Sequence, residues 1–408
     1  MSRSLPKLYR RFAYTLVVLV ALSLSVQHAN AQLVSYESDD GWNLGVTGAI
    51  PVFFNLSDHE DFNSDGSNQF SSRVMSGFNP GNVTFTVTAP EQNGVTVSGV
   101  FQINHHLQGA SIQNDGLFEG RVADIILAGD FGSINIGKGL GVFQSISIAD
   151  AGSGMGVGRF AGPDAADATL GRIGAGYTYA NFNPRIIYNT PDLGGFGLSL
   201  GLVNPEKPRG AEPEEGVVDN FAVDIETPAP RFEGQVDYTF GFNAGSLRLW
   251  AGGLYQYVDV ISENFNYNIT GWDVGARLNA AGFGLTGSYS ETSGIGSDGL
   301  IGLALDIDGD DANRLGGLTQ AEMDGQQWYV EGTYDFGGFI VGASYGEGIQ
   351  DGVTNTFGSF SRNTNQLIMG FTRLTVTDNL TFMLEVQDFQ SQAQADYNAF
   401  IVGAQLTF

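Results

Sequence analysis

Apolar residues recur at every second position along stretches of this chain with carboxylates among the residues between them, and a pattern of that kind leaves few folds open. Trp328, Val330, Gly332, Tyr334 and Phe336 alternate with Gln327, Tyr329, Glu331, Thr333 and Asp335. The same happens at Phe232–Phe240 around Glu233, Gln235 and Asp237, at Trp272–Asn279 around Asp273 and Arg277, and at Leu380–Gln387 around Glu385. A period of two is that of a β-strand, whose successive side chains point to opposite faces. One face is therefore apolar and the other wet. A sandwich with a charged outer surface meets that requirement, and so does a barrel with an apolar outside and a watery inside.

Connection lengths favour the barrel. Short turns (Asp130-Phe-Gly, Ala280-Ala-Gly, Gly337-Gly338, Thr377-Asp-Asn) alternate with long Asp- and Gly-rich stretches near 56 to 79, 141 to 169, 205 to 229, 292 to 325 and 348 to 362. A transmembrane β-barrel has short periplasmic turns and long extracellular loops. About sixteen strands are expected, starting near 41, 80, 94, 119, 131, 183, 196, 230, 246, 270, 282, 326, 338, 363, 379 and 396. Aromatics such as Trp42, Phe53, Phe54, Phe196, Tyr255 and Phe336 are expected to form interfacial girdles. With 58 glycines, 29 Phe, 15 Tyr and a mean hydropathy of -0.03, the chain is unlike a helical protein. Beyond the N-terminus it contains no apolar run of the length a membrane helix needs.

The first residues read as an export signal. Arg3, Lys7, Arg10 and Arg11 precede an apolar run from Phe12 to Leu24, and Ala29-Asn30-Ala31 supplies a small-x-small cleavage site. Residues 1–31 are thus expected to be a signal peptide and 32–408 one barrel domain. The chain has 44 acidic and 18 basic residues, a net charge of -26 that becomes -30 once the four basic residues of the signal are removed. It has no cysteine with which to use an oxidising compartment. At the other end, Phe400, Val402, Ala404, Leu406 and Phe408 alternate with Ile401, Gly403, Gln405 and Thr407, so the last residue lies on the apolar face of a final strand.

Gly120-Arg-Val-Ala-Asp-Ile-Ile-Leu-Ala-Gly-Asp-Phe-Gly-Ser-Ile-Asn-Ile-Gly-Lys138, Asn183-Pro-Arg-Ile-Ile-Tyr-Asn-Thr-Pro191 and the terminal Phe408 resemble the sixteen-stranded general porins of the Gram-negative outer membrane. The resemblance implies a homotrimer in contact with outer-membrane lipid and lipopolysaccharide. It implies that Phe408 is an assembly signal read by the barrel assembly machinery. It also implies a third loop folded into the pore, from about Gly141 to Thr169, carrying Asp150, Asp164 and Asp167 opposite a wall of basic residues. Arg121 and Lys138 match that wall, and either Arg172 or Arg185 matches its next rung. Two departures stand out: GNVTFTVTAPE at 81–91 lacks an arginine, and the loop reads GRFAGPDAADA without a Pro-Glu-Phe motif.

Asp61-Phe-Asn63-Ser-Asp65-Gly66 opens like a calcium loop, although Ser72 replaces its closing Glu and no helices flank it. Calcium on the extracellular loops is the one cofactor the sequence suggests. His59, His105 and His106 belong to no spaced catalytic motif, and the acidic charge disfavours nucleic acid. The expected function is passive diffusion of small hydrophilic solutes and ions, with no enzymatic activity. A solute-specific channel, for example one selective for sugars, is the alternative, and a closed barrel used in adhesion is a third reading. Lumen-facing Glu233, Asp237, Asp273, Glu331, Asp335 and Glu385 lead to an expectation of cation preference.

Overall fold

In the computed structural model the alternating segments pair edge to edge into one closed sheet whose apolar face points outward. The structure describes residues 34–63, 65–107, 118–160, 162–163, 168–205, 225–260, 265–295, 324–350, 354–355, 358–359, 363–392 and 394–408. The expected signal peptide lies outside them.

Sixteen antiparallel strands form the barrel. We number them β1 (Asn43–His59), β2 (Gln69–Met75 continued by Gly81–Thr88), β3 (Val95–His105), β4 (Phe118–Gly129), β5 (Gly132–Leu140), β6 (Phe182–Asn189), β7 (Phe196–Val203) and β8 (Arg231–Phe242). The second half comprises β9 (Gly245–Val260), β10 (Phe265–Ala280), β11 (Phe283–Ser293), β12 (Asp324–Asp335), β13 (Phe339–Gln350), β14 (Asn363–Thr377), β15 (Leu380–Ser391) and β16 (Tyr397–Thr407). Short accessory strands lie at Val34–Glu37, Ile225–Glu226, Thr354–Asn355 and Gly358–Ser359. Closure leaves no sheet edge unpaired in lipid, where an open edge would cost several kcal/mol per polar group.

The seam is β1. Its residues from Ala49 to His59 pair with Thr407 to Tyr397 of β16. On its other side it pairs with both halves of β2, Phe53–His59 with Met75–Gln69 and Asn43–Ala49 with Thr88–Asn82. The loop expected over 56–79 is shorter than that: Gln69–Met75 is paired strand, with Phe70, Ser72 and Val74 pointing outward and Ser71 and Met75 buried inside. Between the halves of β2, Ser76–Pro80 leaves the ladder.

Strand parity separates lipid from lumen. Trp272 and Val274 are each 44% exposed on the outer face, whereas Asp273 between them is 1% exposed. Trp42, Phe54, Phe196, Tyr255 and Phe336 are exposed outside, as girdles require. Phe53 is the exception: it is buried on the inner face with Met75, Leu367, Met383 and Ile401. An apolar core inside a barrel needs something to cover it, and the described residues between 141 and 181 do so.

Candidate functional site

The segment between β5 and β6 turns into the barrel and is buried along most of its length. Three inward glutamates hold it by the backbone. Val142 and Phe143 donate their N–H groups to Glu233 Oε2 (2.6 and 3.0 Å), Ala151 and Gly152 donate to Glu331 (2.6 and 2.7 Å), and Val157 and Gly158 donate to Glu385 (3.0 and 3.3 Å). Each carboxylate thus satisfies two consecutive amides that the irregular backbone leaves without a ladder partner. Arg231 Nε adds a 2.7 Å bond to Glu233 Oε1.

Side chains lock the intervals. Ser147 Oγ donates to Asp273 Oδ2 (3.2 Å), and Tyr329 Oη donates to the Ser147 carbonyl (2.9 Å). Arg277 Nη2 donates to the Ala149 carbonyl and Arg373 Nη2 to the Gly152 carbonyl. Phe160 packs on Tyr397, whose hydroxyl accepts the Phe160 N–H. Where β2 is interrupted, Phe78 N–H donates to the Gly156 carbonyl (2.9 Å) and the Gly77 carbonyl accepts Thr169 N–H (3.4 Å). The wall opens its own ladder to bind the loop.

This docking changes what the expected site residues do. Asp150 and Arg172 come together, but as a pair with fully buried side chains, Arg172 Nε lying 3.7 Å from Asp150 Oδ2. Asp150 also accepts from Ser153 N–H and Oγ and from Tyr177 Oη, and Arg172 donates to the Leu367 carbonyl and Ser344 Oγ. Burial, reinforced by Asp150, raises the Tyr177 phenol well above its ordinary range. Neither Asp150 nor Arg172 faces open water; both brace the loop. Asp164 and Asp167 lie outside the described residues.

On the wall, Arg121 and Arg185 point inward. Arg185 makes two bonds to Asp124 (3.1 and 2.9 Å) and donates to the Leu140 carbonyl. Arg121 pairs with Glu119 at 2.5 Å, and Glu119 also meets His106 at 2.7 Å. Arg121 owes its direction to a bulge: the register runs from Gln102↔Val122 to Ile103↔Gly120 and skips it. Without that extra residue, the parity of Ala123 and Ile125 would send Arg121 into lipid. Lys138 does not line the lumen. It is exposed on the outer face, two residues from Ile136 and opposite Ala123.

Four of the six acids expected to face the channel are covered instead: Glu233, Asp273, Glu331 and Glu385 are all less than 5% exposed. The inward-facing aromatics Trp250 and Tyr329 are buried as well. The open part of the lumen includes a cavity of about 410 Å³ lined by Thr47, Ala49, Asn82, Thr84, Gln102 and Thr407 at the seam.

At the rim, Asn63 Nδ2 donates to Ser67 Oγ and the Asn68 carbonyl. Asp65 Oδ1 accepts from Ser67 Oγ and N–H, bonds that lower its pKa. Asp61 N–H reaches Asn68 Oδ1 at 3.4 Å. Asp61, Asn63 and Asp65 thus take part in side-chain hydrogen bonds of a turn. Among the described residues no group of three or more His, Asp or Glu is placed to hold a metal.

A family profile described as Gram-negative porin matches residues 15–357. No curated protein matches the chain in sequence. Among solved structures, the outer membrane channel DcaP of Acinetobacter baumannii is similar at TM-score 0.63 and 15% identity, over 92% of this chain and 100% of that one. An anion-selective porin from Comamonas acidovorans is similar at TM-score 0.61 and 15% identity, over 90% and 100%. The trimer form of in-vitro folded OmpT of Vibrio cholerae is similar at TM-score 0.53 and 12% identity, over 90% and 100%.

Proposed function

The chain belongs to the Gram-negative porin family and is a diffusion channel of the outer membrane, and on that premise we propose that it passes small hydrophilic solutes with a cation preference set at its mouths. The supporting observation is how charge is distributed. Arg73, Arg121, Arg185 and Arg231 point inward from β2, β4, β6 and β8, and Arg248, Arg277 and Arg373 from β9, β10 and β14. Arg159 and Arg172 lie in the inward loop. Against these nine stand Glu119, Asp124, Asp150, Glu233 and Asp237, with Asp273, Glu331, Asp335 and Glu385. Among the described residues the interior therefore holds nine basic and nine acidic side chains, whereas the whole chain has 18 basic and 44 acidic residues.

The acidic excess lies in the remaining segments, chiefly the Asp- and Glu-rich connections. A negative mouth concentrates cations and repels anions, an effect screened over about 8 Å at physiological ionic strength. The solute path in this reading runs between the loop and β3–β6, past Arg121–Glu119. The protein is a trimer, as OmpT of Vibrio cholerae is described to be. Its outer face meets lipid and lipopolysaccharide, and its last strand is handled by the barrel assembly machinery.

The test is the reversal potential of the refolded protein in a planar bilayer under a potassium chloride gradient, with a chelator present. Potassium is expected to pass more readily than chloride in dilute salt, and the difference to fade near 1 M, where screening shortens to about 3 Å. Chloride passing more readily would overturn the cation preference; an absence of conductance would overturn the open channel. Migration as a monomer in unheated detergent gels would overturn the trimer.

A further inference from the structure

Two arginines face each other across β9 and β10. Arg248 is the cross-strand partner of Arg277, and both belong to the inner face, since Leu249 and Leu278 beside them are exposed outside. Directly opposed like charges on neighbouring strands repel and cost stability. One carboxylate is close: Arg248 Nε donates to Asp237 Oδ2 at 3.0 Å, with the two side chains 38% and 23% exposed. Arg277 has only neutral acceptors, Thr286 Oγ1 at 3.3 Å and the Ala149 carbonyl at 2.7 Å. Among the described residues no carboxylate forms an ion pair with it. The pair lies four residues beyond Asp273 toward the short turn at 281–282, hence on the periplasmic side of the loop.

We propose that Arg248 and Arg277 form a binding step for the oxyanion group of a small solute, phosphate or carboxylate, on the periplasmic side of the inward loop. Arg277 is held in place by the loop carbonyl and keeps Nη1 uncommitted; Arg248 keeps both Nη atoms uncommitted. An oxyanion between two guanidinium forks takes charge-assisted bonds from both and removes their repulsion. This pair lies on strands against which the loop packs, whereas the basic rungs implied by the family resemblance lie on β4 and β6. The inference rests on the open-channel reading for its role in transport, though not for binding itself. A cation-preferring mouth would then admit anions weakly, and this step would hold those that enter.

Binding is tested with inorganic phosphate on the refolded full chain. Thermal unfolding in phosphate should be shifted upward for the wild type relative to chloride at equal ionic strength. In Arg277→Gln and in Arg248→Gln the phosphate concentration giving half the shift should rise about tenfold, the loss of one charge-assisted bond. In bilayers, phosphate should block potassium current through the wild type, with the same tenfold weakening in each variant. Equal phosphate shifts in the wild type and both variants would overturn the proposal, as would the absence of any shift in the wild type. If the protein binds phosphate but carries no current, the site stands and the channel reading fails.

Discussion

Gly48 and Phe408 exchange both of their backbone hydrogen bonds, at 2.8 and 3.0 Å, and the Phe408 ring lies against the face of Gly48 where a side chain would stand. A Cβ on Gly48 would come within 2.5 Å of that ring and 2.6 Å of the Asn82 carbonyl. The last residue of the chain is thus seated on β1 at the point where the barrel closes. Gly48→Val should obstruct closure. Less heat-modifiable barrel in the outer membrane is expected, and normal abundance of the variant would show that the seat is dispensable.

Phe408 itself faces outward, in line with Val402 and Leu406. Replacing it by Asp puts a charge on the lipid side and removes the ring from Gly48, so Phe408→Asp should lower surface abundance and raise periplasmic degradation. Quantitative blotting of outer-membrane fractions decides this. Abundance equal to wild type would count against both the lipid-facing and the assembly roles.

Asp150 and Arg172 are both fully buried, so breaking the pair leaves an uncompensated charge in the loop. Asp150→Asn should cost about 3–5 kcal/mol of loop docking or barrel stability. A shift in thermal unfolding or in protease sensitivity near 141–181 is expected to exceed any shift in reversal potential. The double variant Asp150→Asn/Arg172→Met should recover part of the loss, and a double variant worse than either single one would refute the pairing.

Arg121 and Lys138 give opposite expectations despite their similar charge. Arg121 neutralises Glu119 inside the barrel, so Arg121→Gln should leave Glu119 in excess and increase cation preference in dilute salt. Lys138 is on the outer face, and Lys138→Gln should leave the reversal potential unchanged. A larger change for Lys138 than for Arg121 would mean that the facing of β4 and β5 is misassigned.

Strand number and facing were legible in the sequence because both depend on short-range alternation: Trp328, Val330 and Glu331 declare their faces within four residues. The outward direction of Lys138 was legible in the same way from Ile134 and Ile136, but the family resemblance pointed inward. Arg121 was not legible from parity, since a bulge leaves no reliable mark in a single sequence. The loop contacts were hidden for a different reason. Glu331 meets Ala151 from 180 positions away, and it meets a main-chain group that any residue but proline would offer. Alternation identified Glu233, Glu331 and Glu385 as inward, yet nothing local told whether water or backbone would receive them.

The three glutamates recognise no side chain in the six bonds they accept. An N–H is common to nineteen of the twenty residue types, so as far as these bonds are concerned positions 142, 143, 151 and 157 can drift in evolution with proline alone forbidden, while Gly152 and Gly158 stay glycine because a Cβ would come within 3.0 Å of Glu331 Oε2 and closer still to the Gly171 carbonyl. The barrel therefore carries a generic clamp on its inner wall, into which differently worded inserts could be spliced while the way they are held stays the same.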